Sequence, residues 1–440
     1  MEKKQKRGGL VDRLEGDKVV WIIVLMLILI SIVCIFSSTS RLLEPGQTRL
    51  DIVWGQMKTV VFGLVVIFVC YFIKDLDIFR WCAKWGFLLS LMLLVFLILG
   101  PKEGPVRSIE LNGARRALSI FGKQVFVYEI VKVAMVMYLS WAVEAFKKKT
   151  LPFKFVTGKW AQKIVFIYLP FILTTVLILP GSNSAALFIG GIMFLTIFIG
   201  SGEMLDAAAL VVLAILGLGF CFGIYEISDH KAFKRIGTAV SGSRSLSIED
   251  MEKEYRLASN TEERQAALDK MRQPYSAMIA VKEGGVLGKG PGQSTQRYAV
   301  PDISEDFMFS FIIEEYGLWG ALIIIFLYVS LLARGSIIAR NCGNDLFAKT
   351  AVAGLTLLIS MQAFLHMFVN ADIGPMTGQT LPLISHGNSA FLCFCVAFGV
   401  LLSISRIAQK KIRLEEEKAE SLAPEDDIQE SLNDLDSYDL

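Results

Sequence analysis

The run "SEDFMFSFIIEEYG", residues 304–317, sets Asp306 at the start of a strongly apolar stretch, with Glu314 and Glu315 two helical turns further in. Charge within such a stretch is costly unless it faces a polar cavity or a partner. A partly desolvated carboxylate at a membrane edge can take a proton from a bound hydroxyl, so Asp306 offers general-base chemistry. The ordinary alternative is a helix start: Asp302 or Ser304 would serve as cap, with Glu305 and Asp306 in the first turn against the helix dipole. Glu314 and Glu315 need cations, and Arg115, Lys132 and Lys289 are the candidates.

Three further segments carry polar chemistry. "NGARRALSIFGKQVFVYEIVK" places Asn112, Arg115 and Arg116 ahead of an apolar span and sets Glu129 and Lys132 three residues apart on one helix face. That pair is either part of a site or a self-neutralising device that lets the helix insert. "KEGGVLGKGPGQS", residues 282–294, has Gly-rich backbone flanked by lysines that can approach phosphate oxygens. It is not a Walker loop, because the spacing to Lys289 is one residue short and glycine follows it; a flexible loop is the ordinary reading. In "LPLISHGNSA", His386 follows Ser385, but sequence neighbours do not face each other on a helix, so the stretch reads as a re-entrant or helix-start segment. No G-x-S-x-G elbow, H-E-x-x-H helix or zinc-ligand spacing occurs.

Membrane helices must carry these residues. Of 440 residues, 54% are hydrophobic and 20% charged, and the mean hydropathy of +0.53 is too apolar for a soluble enzyme of this length. Ten apolar spans are expected, at 19–36, 60–73, 86–99, 125–143, 164–179, 185–199, 207–225, 307–332, 351–369 and 391–404. The expected class is therefore all-α, a polytopic membrane protein with ten transmembrane helices. The first span is too long for a removable signal peptide. Lys and Arg gather at the two termini and at Lys147 to Lys149, which predicts cytoplasmic termini and a multi-pass protein of the cytoplasmic (inner) membrane. The domain expectation is a cytoplasmic segment 1–18, a membrane domain 19–406 with a large outer loop at about 226–304 between helices 7 and 8, and an acidic, disordered tail 407–440. The net charge of +2 is explained by topology and gives no sign of nucleic-acid binding. Seven cysteines sit mainly in apolar spans and form no disulfide framework.

Four of these segments in order, "NGARRALSIFGKQVFVYEIVK", "GGVLGKGPGQS", "VPDISEDFMFSFIIEEYGLWG" and "GPMTGQTLPLISHGNSA", resemble the hallmark motifs of the FtsW/RodA/SpoVE (SEDS) family of peptidoglycan glycosyltransferases. "TGQTLPLIS" and the charged tail are closer to the FtsW branch, which serves division, than to the RodA branch, which serves elongation. The resemblance implies polymerisation of lipid II into glycan strands at the outer membrane face, with release of undecaprenyl pyrophosphate. It implies Asp306 as general base or as ligand of a divalent cation (Mg or Mn), and no organic cofactor. Arg115, Arg116, Glu129, Lys132, Lys289, Glu315 and Ser385 would bind substrate, Glu315 by bracing the cationic cluster. It also implies a class B penicillin-binding transpeptidase and other divisome proteins as partners, with the charged segment 244–273 of the outer loop as the partner-sensitive element. Departures are Gly181 where an acid is usual, Ala117 where an aromatic is usual, and His386 with Asn388 in a normally glycine-rich stretch. Two other readings stay open: a lipid II flippase, favoured by broken helices and buried charge, and a non-catalytic divisome scaffold.

Overall fold

The computed structural model describes residues 15–38, 49–101, 103–111, 114–151, 158–227, 248–257, 261–298, 303–373 and 377–422. Asn112, Asp302, segment 1–14 and the tail beyond 422 lie outside the described residues. The helices in order are α1 (Lys18–Ser38), α2 (Arg49–Phe72), α3 (Leu76–Leu99), α4 (Val127–Lys147), α5 (Lys159–Ile178, π-helical over Ile164–Tyr168), α6 (Asn183–Ser201), α7 (Met204–Ile227), α8 (Ile248–Leu257), α9 (Thr261–Gly284), α10 (Met308–Asn341), α11 (Leu346–Asn370) and α12 (Asn388–Leu422).

Among the described residues, eight helices are long and apolar enough to cross a membrane, where ten spans were expected. The other two expected spans correspond to α4 and α7. Helix α4 carries Glu129, Lys132, Glu144 and Lys147, a charge load possible because most of its residues are buried by protein. Helix α7 runs 24 residues, Met204–Ile227, with an apolar sequence along most of its length.

The connection between α3 and α4 is a three-stranded antiparallel sheet of β1 (Val106–Leu111), β2 (Ala114–Ile120) and β3 (Lys123–Phe126). β3 runs directly into α4, so the sheet fixes where Glu129 and Lys132 begin.

Helix α4 packs against α3, α6 and α11, α10 packs on α11, and α2 on α12. Small residues allow the close crossings, as expected where lipid supplies no hydrophobic drive between helices. A Cβ on Gly63 of α2 would lie 2.6 Å from Phe391 of α12, and one on Gly354 of α11 2.6 Å from Val136 of α4.

The end of the bundle away from the sheet is tied by ion pairs. Arg80 of α3 holds Glu144 of α4 at 2.8 Å and Asp345, the cap of α11, at 2.5 Å. Lys163 of α5 holds Asp206 of α7 at 2.6 Å. Asp17 caps α1 through the amides of Val19 and Val20 and pairs with Arg334 of α10. The carboxylates and cations are thus matched across helices, which removes the penalty of unpaired charge.

Candidate functional site

Lys132 lies one turn into α4, 2% exposed, with its ammonium 2.7 Å from Glu129 Oε1, 2.6 Å from Gln362 Oε1 and 3.2 Å from Gln379 Oε1. Three acceptors match the three N–H groups of an ammonium. The ring centroids of Phe188 and Phe394 stand 5.9 and 5.8 Å from Nζ. Glu129 Oε2 is buried without a hydrogen-bond partner among the described residues. The pair is therefore more than a mutual neutralisation, since Lys132 also draws together α11 and the segment that follows it.

Asp306 sits on the turn 303–307 that precedes α10. The cap position of α10 is Phe307, with no side-chain cap bond and no acid in the first turn, so Asp306 and Glu305 are not helix-start acids and Ser304 is not the cap. Instead the turn is fastened by its carbonyls. His386 N–H donates to Ser304 O at 2.8 Å, Ser385 Oγ to Glu305 O at 2.7 Å, and Asn370 Nδ2 to Asp306 O at 3.1 Å. A Cβ on Gly378 would lie 3.7 Å from Asp306 Oδ2. The neighbouring Gln379 reaches Lys132. One short segment, Thr377–Thr380, thus borders the carboxylate on one side and the buried cation on the other.

Ser385, expected to bind substrate, has its hydroxyl engaged by the protein: it donates to Glu305 O and accepts from Leu381 N–H at 2.9 Å. His386 Nδ1 is 3.5 Å from Glu305 Oε1. The segment therefore positions the Asp306 turn.

The glycine-rich loop is not slack chain, because its backbone is bonded to α10. Lys289 N–H donates to Glu314 O and Gly290 N–H to Glu315 O, each at 2.9 Å, while Leu318 N–H donates to Gly285 O at 3.1 Å. These bonds take the place of helical ones because α10 breaks at Gly317, whose φ of 66° and ψ of −165° suit glycine alone. A Cβ there would lie 2.3 Å from Val286 O, and one on Gly288 2.3 Å from Glu315 O.

The two acids have separate partners. Glu314 accepts from Lys289 Nζ at 2.8 Å, Thr295 N–H at 2.8 Å and Ser294 Oγ at 2.5 Å. Glu315 accepts from Ser37 Oγ of α1 at 2.7 Å and from Ser294 N–H at 3.4 Å. Glu315 thus anchors the loop to α1 through hydroxyl and amide groups, and Arg297 Nη1 donates to the carbonyl of the same Ser37 at 3.2 Å. Burial alone would lower the Lys289 pKa, but Glu283 and Glu314 outweigh it and hold the ammonium above the ordinary lysine range.

The arginines of β2 do not join Lys132 in its cluster of acceptors. Arg115 Nη1 donates to Ile98 O at 2.6 Å and Gly100 O at 3.2 Å, satisfying carbonyls at the C-terminal end of α3. Arg116 Nε donates to Gly181 O at 3.2 Å. At 181, a Cβ would fall 1.7 Å from the Tyr128 hydroxyl, so a larger residue there would require that side chain to move. Ala117 is fully buried in β2.

Among the described residues no group of three or more His, Cys, Asp or Glu side chains could hold a metal ion. No motif in the sequence assigns a role to Gln362, His366, Asn370 or Gln379. A signal existed in the polar residues Gln362, His366 and Asn370, four apart on one face of an apolar helix.

The FtsW/RodA/SpoVE family model, described as cell cycle protein, matches residues 17–410. Stage V sporulation protein E of Bacillus subtilis (strain 168) is 25% identical over 396 residues, covering 89% of this chain and 98% of the relative. A probable peptidoglycan glycosyltransferase FtsW of Hahella chejuensis is 29% identical over 381 residues, covering 85% of this chain and 86% of the relative. A solved chain from a peptidoglycan synthase complex aligns with a TM-score of 0.60 at 20% identity, covering 89% of this chain and 98% of that one. The crystal structure of the rod shape determining protein RodA of Thermus thermophilus aligns with a TM-score of 0.57 at 20% identity, covering 90% and 98%. These structural likenesses establish the polytopic fold.

Proposed function

The chain belongs to the FtsW/RodA/SpoVE family of cell cycle proteins, and from that premise we propose that it is a peptidoglycan glycosyltransferase that polymerises lipid II at the outer face of the cytoplasmic membrane during division. The observation that carries this reading is the segment Thr377–Thr380, which borders the Asp306 carboxylate at Gly378 and the buried Lys132 ammonium at Gln379. A sugar hydroxyl and a pyrophosphate are the two groups such a carboxylate and cation would serve.

In this mechanism Asp306 takes the proton of the acceptor sugar hydroxyl. The freed oxygen bonds to the anomeric carbon of the second lipid-linked disaccharide. The bond from that carbon to the pyrophosphate oxygen breaks, and undecaprenyl pyrophosphate leaves with the electron pair. Lys132 stabilises the charge gathering on the leaving group, exchanging its longest contact, 3.2 Å to Gln379, for a phosphate oxygen. Glu129 orients the lysine ammonium from 2.7 Å. A divalent cation would rest on Asp306 and on substrate oxygens, and would offset charge on the pyrophosphate.

Arg116 lies at the sheet end of the bundle, where it suits a headgroup contact. Ser385, Glu315 and Lys289 act by holding the Asp306 turn and the start of α10. A class B transpeptidase fits as the partner, because one of the structural neighbours was solved within a peptidoglycan synthase complex.

The test is reconstitution of the full chain in lipid with a class B transpeptidase and fluorescent lipid II, with glycan strands read on a gel. Wild type makes strands and Asp306→Ala makes none while remaining membrane-inserted. Equal polymer from both ends the proposal. Transbilayer movement of lipid II without polymer would favour the flippase reading instead.

A further inference from the structure

A helix normally receives its first free amides on the side chain of its own cap residue, which accepts from the second or third helical N–H. Phe307, at the cap of α10, has no such group. The two amides are nevertheless paired. Phe309 N–H donates to His366 Nε2 at 3.3 Å, and Ser310 N–H donates to Asn370 Oδ1 at 2.9 Å. Both acceptors belong to α11, four residues apart, and are 1% and 3% exposed.

Each of the two residues also reaches the site on its other side. Asn370 Nδ2 donates to the carbonyl of Asp306 at 3.1 Å. His366 Nδ1 lies 2.7 Å from the carbonyl of Gln379, whose side chain contacts Lys132. One neutral tautomer satisfies both imidazole contacts: Nδ1–H donates to the carbonyl, leaving Nε2 bare to accept from Phe309.

We propose that His366 and Asn370 are positioning residues that cap α10 from the neighbouring helix. They fix the turn carrying Asp306 and tie it, through the backbone of Gln379, to the Lys132 cluster. Neither side chain touches the reacting atoms. The assignment rests on the glycosyltransferase reading above and deepens it. Its physical basis is that a buried amide cannot go unpaired, so loss of the acceptor forces the start of α10 to shift. A small displacement of a general base is felt in turnover more than in substrate binding.

Glutamine and asparagine separate the two imidazole contacts. The amide of glutamine reaches the place of Nε2 and can accept from Phe309 N–H, whereas the shorter asparagine reaches only the place of Nδ1. In the reconstituted complex, polymer from wild type and none from Asp306→Ala secures the reading on which the proposal depends. Within that frame His366→Gln is expected within about threefold of wild-type kcat. His366→Asn and Asn370→Leu are expected to lower kcat about tenfold or more, with KM for lipid II changed less than about twofold. If Asn370→Leu fails to fold, the two polar variants at 366 still decide. Equal kcat for His366→Gln and His366→Asn, or a raised KM at unchanged kcat, overturns the proposal while leaving the glycosyltransferase reading intact.

Discussion

At the scale of single residues, the proposed chemistry needs a carboxylate and a cation kept in different surroundings. Lys132 is saturated by three oxygens and flanked by two aromatic rings, while Asp306 stands half-buried on a turn whose backbone is held from outside. Removing only Lys132, as in Lys132→Met, would leave the Glu129 carboxylate buried without its counter-charge, a loss of about 3–5 kcal/mol of stability. The double variant Glu129→Gln, Lys132→Gln keeps hydrogen-bonding groups and removes both charges, so thermal unfolding is expected near that of wild type. Its glycan synthesis is expected to fall about tenfold or more, because the leaving group loses its cation. Normal synthesis by the double variant would reduce the pair to a device for inserting α4.

At the scale of elements, α10 is two helical pieces joined at Gly317, and the break is stabilised by the loop that precedes it. Amides of the loop occupy the carbonyls of Glu314 and Glu315, and their carboxylates bind Lys289, Ser294, Thr295 and Ser37. Gly317→Ala would impose a Cβ on a positive-φ backbone and against Val286 O. The expected cost is about 1–3 kcal/mol or more, read as a lower unfolding midpoint and as new protease cleavage between residues 284 and 295. Unchanged stability and protection in that variant would show that the break at 317 is not fixed by its glycine. The same geometry explains the acids two turns into an apolar helix: they are ligands for a loop folded back on them.

At the scale of the whole molecule, the ion pairs of Arg80, Lys163 and Asp17 gather at the end opposite the sheet, and the candidate site lies at the sheet end. The cationic termini predict that the sheet end faces outward. Phe121, 82% exposed at the tip between β2 and β3, offers a marker for that side. In a background freed of native cysteines, Phe121→Cys is expected to react with a membrane-impermeant maleimide in intact cells, and Lys149→Cys, at the other end of α4, only after lysis. The reverse pattern would invert the proposed orientation and place the site on the wrong face for lipid II polymerisation.

The sequence alone determined the membrane class, the helical architecture and the family, because apolar length, turn residues and four ordered motifs are local properties of the chain. Local pattern also marked Asp306, Glu129 and Lys132, since charge within an apolar stretch stands out wherever the chain then goes. Only the tertiary structure decided what those charges meet. Arg115 turned to the end of α3, Glu315 to a serine of α1, and Ser385 to the carbonyl before Asp306. His366 and Asn370 became the cap of a different helix. Such pairings join positions far apart in sequence and depend on which helices pack side by side. A buried amide, carbonyl or charge accepts whichever complementary group the packing brings within about 3 Å, and that choice is made in three dimensions.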